Sequence, residues 1–207
     1  FLPRKIVLLG GKLMGYWTGI CLRFVLSVKI LIKGEENIIK EDKFFIAASH
    51  QSMFETFYLQ TIFNSPVFIL KRELLQIPIF GWYLKKIGSI SIKRDKVTKD
   101  NLNFFEDISK TIEKSKRPVI IFPQGTRVLP NERPSFKKGA SRIYENFKIT
   151  CQPIAINSGY VWPKNGFKKS HRTITISILK PINNDLSKEE FIKILEEKIY
   201  SELNLLS

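Results

Sequence analysis

Two textures alternate along most of the chain. Short unbroken apolar runs, such as Phe44-Phe45-Ile46-Ala47-Ala48 and Val119-Ile120-Ile121-Phe122, are followed by longer segments in which apolar residues recur at helical spacing. Runs of the first kind, rich in β-branched and aromatic residues, read as strands buried on both faces; the longer period reads as amphipathic helix. The pattern predicts strands at 44–48, 66–70, 88–92, 118–122, 151–157 and 172–179, and helices at 54–63, 79–86, 99–115, 138–147 and 187–206. The last helix opens on Ser187 with Glu190 at the third position after it, the sequence of a capping box. Strands and helices in this order imply an α/β protein with a mixed, largely parallel central sheet flanked by helices.

The start of the chain has a different pattern. Residues 6–32 are mostly apolar, but Lys12, Arg23 and Lys29 interrupt them, and no run reaches the ~18 to 20 residues that a spanning helix needs. Taken as one helix at about 100° per residue, the stretch gathers Lys12, Arg23, Lys29 and Lys33 into an arc of roughly 120° and leaves the rest apolar. That is the pattern of a helix lying in a bilayer interface, the alternatives being an amphipathic helix packed on the domain or two helices broken at the glycines. The expected organisation is a membrane-associating helical segment at 1–34 and one α/β domain at 35–207. The chain opens on Phe1 rather than Met, as a processed or trimmed form would.

Composition narrows the partners. With 207 residues, 43% hydrophobic, and no low-complexity tract or Pro/Gly/Ser-rich linker, the chain suits a single domain with a real core. The formal charge of +15 calls for an anionic partner: nucleic acid, an acidic lipid surface or a phosphorylated substrate. The basic residues are scattered along the chain without a nucleic-acid-binding signature, which disfavours a non-catalytic basic binding module for nucleic acid or membranes. Cys21 and Cys151 lie in apolar contexts without metal spacing, so buried, reduced thiols facing the cytosol are expected, and no metal site.

In parallel sheets, sites gather where strands end. His50, one of two histidines, follows the run at 44–48, with Glu55 five positions on. Residues five apart are roughly 140° apart on a helix, so the two meet only if His50 lies on the turn before the helix that carries Glu55. A carboxylate held to one ring nitrogen fixes the imidazole tautomer and lets the other nitrogen take a proton from a hydroxyl. Ser52 reads as the cap of the helix. Three further strand ends carry groups suited to a phosphate: Lys71-Arg72, Lys93-Arg94-Asp95, and Gln124-Gly125-Thr126-Arg127. His171 reads as a solvated loop residue.

These blocks resemble the glycerolipid acyltransferases typified by 1-acylglycerol-3-phosphate acyltransferase. His50 to Glu55 is similar to that family's HxxxxD/E block. Lys71-Arg72-Glu73-Leu74 through Pro78 and Gly81 to Arg94 resembles its K-x-E-L, P-x-x-G and arginine block. Phe122-Pro123-Gln124-Gly125-Thr126-Arg127 resembles FPEGTR, with Phe136-Lys137-Lys138-Gly139 similar to the F-K-x-G after it, and Gln152-Pro153-Ile154-Ala155-Ile156 to a fourth, apolar block. The resemblance covers roughly 45 to 160.

The resemblance implies the glycerolipid acyltransferase fold and transfer of an acyl group from acyl-CoA or acyl-carrier protein to the sn-2 hydroxyl of 1-acylglycerol 3-phosphate. It implies no bound cofactor and no covalent acyl-enzyme. It makes His50 the general base, Glu55 its orienting carboxylate, and Lys71, Arg94, Gly125, Thr126 and Arg127 the phosphate cradle. Two positions depart: Glu55 stands where many members carry Asp, and Gln124 replaces the glutamate of FPEGTR, which leaves it as an acceptor contact rather than an acid. A lyso-ornithine lipid, another lysophospholipid or glycerol 3-phosphate stands as the alternative acceptor. Trp82 and Tyr83 are expected to admit the acyl chain, and the protein to work at the cytoplasmic face of an anionic membrane, where its basic charge attracts lipid and donor.

Overall fold

The computed structural model describes residues 2–41, 43–92, 100–115 and 117–206. In chain order the elements are α1 (Arg4–Leu26), β1 (Lys29–Lys33), β2 (Phe44–Ala48), α2 (Phe54–Ile62), β3 (Val67–Lys71), α3 (Phe80–Ile87), β4 (Ile90–Ile92), α4 (Asp100–Lys114), β5 (Val119–Ile121), α5 (Gly139–Phe147), β6 (Thr150–Ile156), β7 (Thr173–Ile178) and α6 (Lys188–Leu205). Among the described residues the strands form one sheet in the order β1-β7-β6-β2-β5-β3-β4, parallel throughout except between β6 and β7. The mixed, largely parallel sheet flanked by helices is the one that the alternating pattern predicts.

Because side chains alternate across a strand, each central strand feeds two cores. Phe45, Ala47, Val119, Ile121 and Cys151 face Ile108 of α4, Ile143 of α5 and Phe191, Leu195 and Ile199 of α6. Phe44, Ile46, Ile120, Ile154 and Ile156 face Leu22 of α1 and Phe54 and Leu59 of α2. Val7 of α1 also packs with Leu84 and Ile87 of α3. The molecule is therefore helix–sheet–helix in three layers. Ser187 and Glu190 make the capping box on α6, and His171 is exposed in a loop.

One reading needs correction. The apolar stretch does not continue as a helix through residue 32: Ser27 adopts a left-handed conformation (φ 52°) after α1, and Lys29-Ile30-Leu31-Ile32-Lys33 pairs with β7 as the edge strand. Its period is two, Ile30 and Ile32 packing inward while Lys29, Leu31 and Lys33 are exposed. Lys29 and Lys33 therefore do not share a helical arc with Lys12 and Arg23. Cys151 is buried, but Cys21 is only partly so.

α1 lies unusually close to α2. Gly11, Gly15 and Gly19 recur every fourth residue, and a Cβ on Gly15 would stand 2.5 Å from the Phe57 carbonyl oxygen. The opposite face is apolar and open: Leu13, Trp17, Phe24 and Val25 are 57 to 78% exposed. Among the described residues no helix is long and apolar enough to cross a membrane.

Candidate active site

The strand order explains why distant blocks meet. β5 lies between β2 and β3, and all three run parallel, so the segments that follow them emerge side by side at one edge of the sheet. The segments after β2 and β5 carry His50 and Gln124 to Arg127, and β3 itself ends on Lys71.

The turn after β2 is sewn to the end of β6. Ser49 N donates to the Ile154 carbonyl, and Ser49 Oγ exchanges hydrogen bonds with the backbone of Ile156. His50 follows on this fixed turn, and α2 begins at Phe54, whose N–H donates to Ser52 Oγ at 3.0 Å. Glu55, in the first turn of α2, is fully buried. The backbone N–H of Gln51 donates to its Oε1, that of Ser52 to both oxygens, and the Ser158 hydroxyl also donates to Oε1. A buried carboxylate is tolerable only when so bonded, and these donors fix its plane. Oε2 lies 3.5 Å from His50 Nδ1, an ion-pair contact longer than a hydrogen bond. Nδ1 is buried and has no hydrogen-bond partner among the described residues. His50 and Glu55 thus meet as the turn-then-helix reading requires, and catalytic contacts of this kind commonly tighten only when substrate binds.

The imidazole stacks on Phe122 with 4.0 Å between ring centroids. With Nδ1 turned toward Glu55, Nε2 is the nitrogen left for the cavity that His50 lines. Gln124 is 2% exposed, and its side-chain carbonyl accepts from the His50 backbone N–H at 2.6 Å. Val128 N donates to the His50 carbonyl. The turn after β5 is therefore clamped to His50 from both sides. Gln124 Nε2 lies against the Tyr200 hydroxyl without reaching hydrogen-bond geometry. Burial pushes the Tyr200 hydroxyl up to about 12. Gln124 also borders the cavity, but its carbonyl is committed to His50.

The cavity measures about 990 Å³ and is lined by both cationic and apolar side chains. His50, Lys71, Gln124, Gly125, Thr126 and Arg127 all line it. Gly125 has φ +76°, a conformation open to glycine at little cost, and it turns the chain between Gln124 and Thr126. Lys71 also contacts Glu73 at 3.5 Å. Arg94 lies outside the described residues. Leu70, Leu84, Ile87, Phe104, Phe105 and Ile121 line the apolar part, and Tyr83 joins them. Trp82 does not line it and is 45% exposed, so of the two aromatics only Tyr83 borders this space.

Ser158, Lys137, Lys138 and Arg142 were not singled out as site residues by the sequence. Ser158 follows the end of β6 in Asn157-Ser158-Gly159, so the strand-end rule that found the other blocks applies to it too. Lys137, Lys138 and Arg142 surround the start of α5 and line the same cavity. Among the described residues no cluster of three His, Cys, Asp or Glu could hold a metal ion.

Fold and site together define the class: an open α/β sheet whose carboxyl edge carries a histidine–carboxylate pair beside a cavity lined by cationic and apolar side chains. The chain belongs to the acyltransferase family, whose model, described as Acyltransferase, matches residues 29–157. It is 35% identical to the 1-acyl-sn-glycerol-3-phosphate acyltransferase of Pseudomonas aeruginosa, over 75% of this chain and 60% of that protein. The protein of the same name from Saccharomyces cerevisiae is 28% identical over 95% of this chain and 67% of its own length. That from Helicobacter pylori is 31% identical over 76% and 67%. The crystal structure of the 1-acyl-sn-glycerophosphate (LPA) acyltransferase PlsC from Thermotoga maritima superposes with a TM-score of 0.76 at 26% identity, covering 98% of this chain and 80% of that one. The chain thus spans about two thirds or less of the curated relatives' length.

Proposed function

We propose that the protein transfers a fatty acyl group from a thioester donor to the sn-2 hydroxyl of 1-acylglycerol 3-phosphate, giving phosphatidic acid. The observation that carries this reading is one cavity, lined by His50 of the histidine–carboxylate pair together with cationic and apolar side chains. A phosphorylated lysolipid has the same division of chemistry. The names of the relatives point the same way.

His50 Nε2 takes the proton of the acceptor hydroxyl as its oxygen attacks the thioester carbonyl carbon. Glu55 holds the ring and stabilises the imidazolium that forms. The tetrahedral intermediate then collapses, the C–S bond breaks, and the departing thiolate takes the proton back from His50. Arg127 and Lys71 hold the acceptor phosphate, with Gly125 and Thr126 shaping the turn beside it; Arg94 is assigned to the same cradle from the sequence alone. Binding energy from the phosphate, remote from the reacting bond, aligns the hydroxyl. The apolar half of the cavity takes acyl chain.

The exposed Trp17, Phe24 and Val25 on α1 support work at a membrane surface, and the free thiols suit its cytoplasmic face. A panel of acceptors offered with one labelled thioester tests the assignment, with 1-acylglycerol 3-phosphate expected to outrun lyso-ornithine lipid, other lysophospholipids and glycerol 3-phosphate. His50→Ala is expected to lower kcat by about 10² to 10⁴ with the unfolding temperature retained. A folded His50→Ala protein with undiminished transfer would sink the mechanism.

A further inference from the structure

Among the described residues five cationic side chains line the cavity, Lys71, Arg127, Lys137, Lys138 and Arg142, and no aspartate or glutamate does. The acceptor's phosphate monoester carries about two negative charges at neutral pH. Arg127 and Lys71 are enough to meet it. The other three cations surround the start of α5.

Among the described residues no carboxylate neutralises them. Lys138 and Arg142 stand four residues apart, on neighbouring turns of one helical face, where like charges repel. The only acid on α5, Glu145, is engaged by Lys188 at 3.1 Å. Among the described residues Lys137, Lys138 and Arg142 have no carboxylate within ion-pair distance. Their backbone is nevertheless held in place. Lys137 N donates to the Pro123 carbonyl at 2.8 Å, which ties the segment to the turn after β5. Phe136 is buried, and its N–H donates to Glu196 Oε2 at 2.6 Å. Cations on an anchored backbone that line a cavity, with no carboxylate partner among the described residues, concentrate anions there.

We propose that Lys137, Lys138 and Arg142 form a second anion subsite, which receives the phosphate groups of a coenzyme A thioester beside the acceptor's cradle. The proposal rests on the acyl-transfer reading for its ligand. Coenzyme A carries a pyrophosphate and a ribose phosphate, enough negative charge to occupy three cations at once, and its pantetheine arm separates that charge from the reacting thioester. The cluster lines the same cavity as His50, which suits a nucleotide whose arm must reach the thioester better than the acidic surface of a carrier protein.

The test compares the parent with a Lys137→Gln/Lys138→Gln/Arg142→Gln variant, its fold checked by circular dichroism. Calorimetric binding of free coenzyme A is expected to weaken about tenfold or more in the variant, as loss of charge-assisted hydrogen bonds requires. The kcat/KM preference for acyl-coenzyme A over the phosphate-free acyl-N-acetylcysteamine thioester is expected to fall by a similar factor. Should the triple variant misfold, Lys138→Gln alone, at an exposed position, is expected to move the same ratio in the same direction. Unchanged coenzyme A affinity overturns the proposal. So does an equal rise in KM for the lysolipid, which would assign the cluster to the acceptor, or a loss seen only with acyl-carrier protein. If the parent acylates no lysolipid yet binds coenzyme A, and the variant does not, the acyl-transfer reading falls while the subsite stands.

Discussion

The Ser158 hydroxyl donates to Glu55 Oε1 across 103 positions of sequence. Glu55 Oε2 faces His50, so Ser158 sets the carboxylate from the far side of the pair. Ser158→Ala leaves Oε1 with the backbone N–H groups of Gln51 and Ser52 alone. Removing one donor from a buried charged acceptor costs about 1 to 3 kcal/mol, and the urea midpoint is expected to fall accordingly. The transfer rate is expected to drop with it while KM for the lysolipid holds, since the cations proposed to hold the phosphate are untouched. With two histidines in the chain, the His50 imidazole is resolvable by NMR. Its ring resonances are expected to shift in Ser158→Ala; a stability loss with those resonances unmoved would make Ser158 a packing residue only.

The strand-end rule located most of this site because the apolar runs fix where β2, β3 and β5 stop, and a parallel sheet then puts their following residues on one edge. Two features escaped it. β1 was merged with α1, since Lys29-Ile30-Leu31-Ile32-Lys33 continues an apolar stretch, and only its period of two and the turn at Ser27 separate them. The pairing of Ser158 with Glu55 depends on β6 lying next to β2, a neighbour relation that no local pattern encodes. The glycine spacing of α1, by contrast, was there to be read as a helix–helix contact.

Gln124 holds the turn after β5 to the turn after β2 through the His50 N–H. Gln124→Leu removes that acceptor from a partly buried donor and is expected to cost about 1 kcal/mol and most of the activity, because the imidazole loses its backbone anchor. Gln124→Glu retains a carbonyl-type acceptor at the same reach, and it is expected to keep the turn in place. Thermal unfolding and kcat of the two variants separate the outcomes. Equal damage from both would mean that the His50 N–H bond is not what Gln124 supplies.

Two glycines of α1 should respond oppositely to the same change. A Cβ on Gly15 would collide with the Phe57 carbonyl and Thr61 Cγ2 at 2.5 and 2.6 Å, whereas one on Gly10 meets nothing within 4 Å. Gly15→Ala is expected to push α1 off α2 and lower the unfolding temperature. Gly10→Ala is expected to raise stability by roughly 0.5 to 1 kcal/mol through helix propensity. Denaturation curves followed by circular dichroism decide it, and stabilisation by Gly15→Ala would contradict the close approach of the two helices.

The two thiols differ in what guards them. Cys151 sits in β6 with no exposure, and burial pushes its thiol well above the ordinary 9.0; Cys21 on α1 is partly exposed. The thiolate is the reactive form, so an aromatic disulfide reagent at pH 8 is expected to titrate one thiol in the native protein and the second only after denaturant is added. The same raised value gives a sign for stability. A group that holds its proton more tightly when folded contributes stability that is whole below its unfolded value and is lost as pH rises past it. Stability should therefore decline above about pH 9, and Cys151→Ser, whose hydroxyl does not titrate there, should show a shallower decline. Rapid modification of both thiols in the folded state would place Cys151 outside the core.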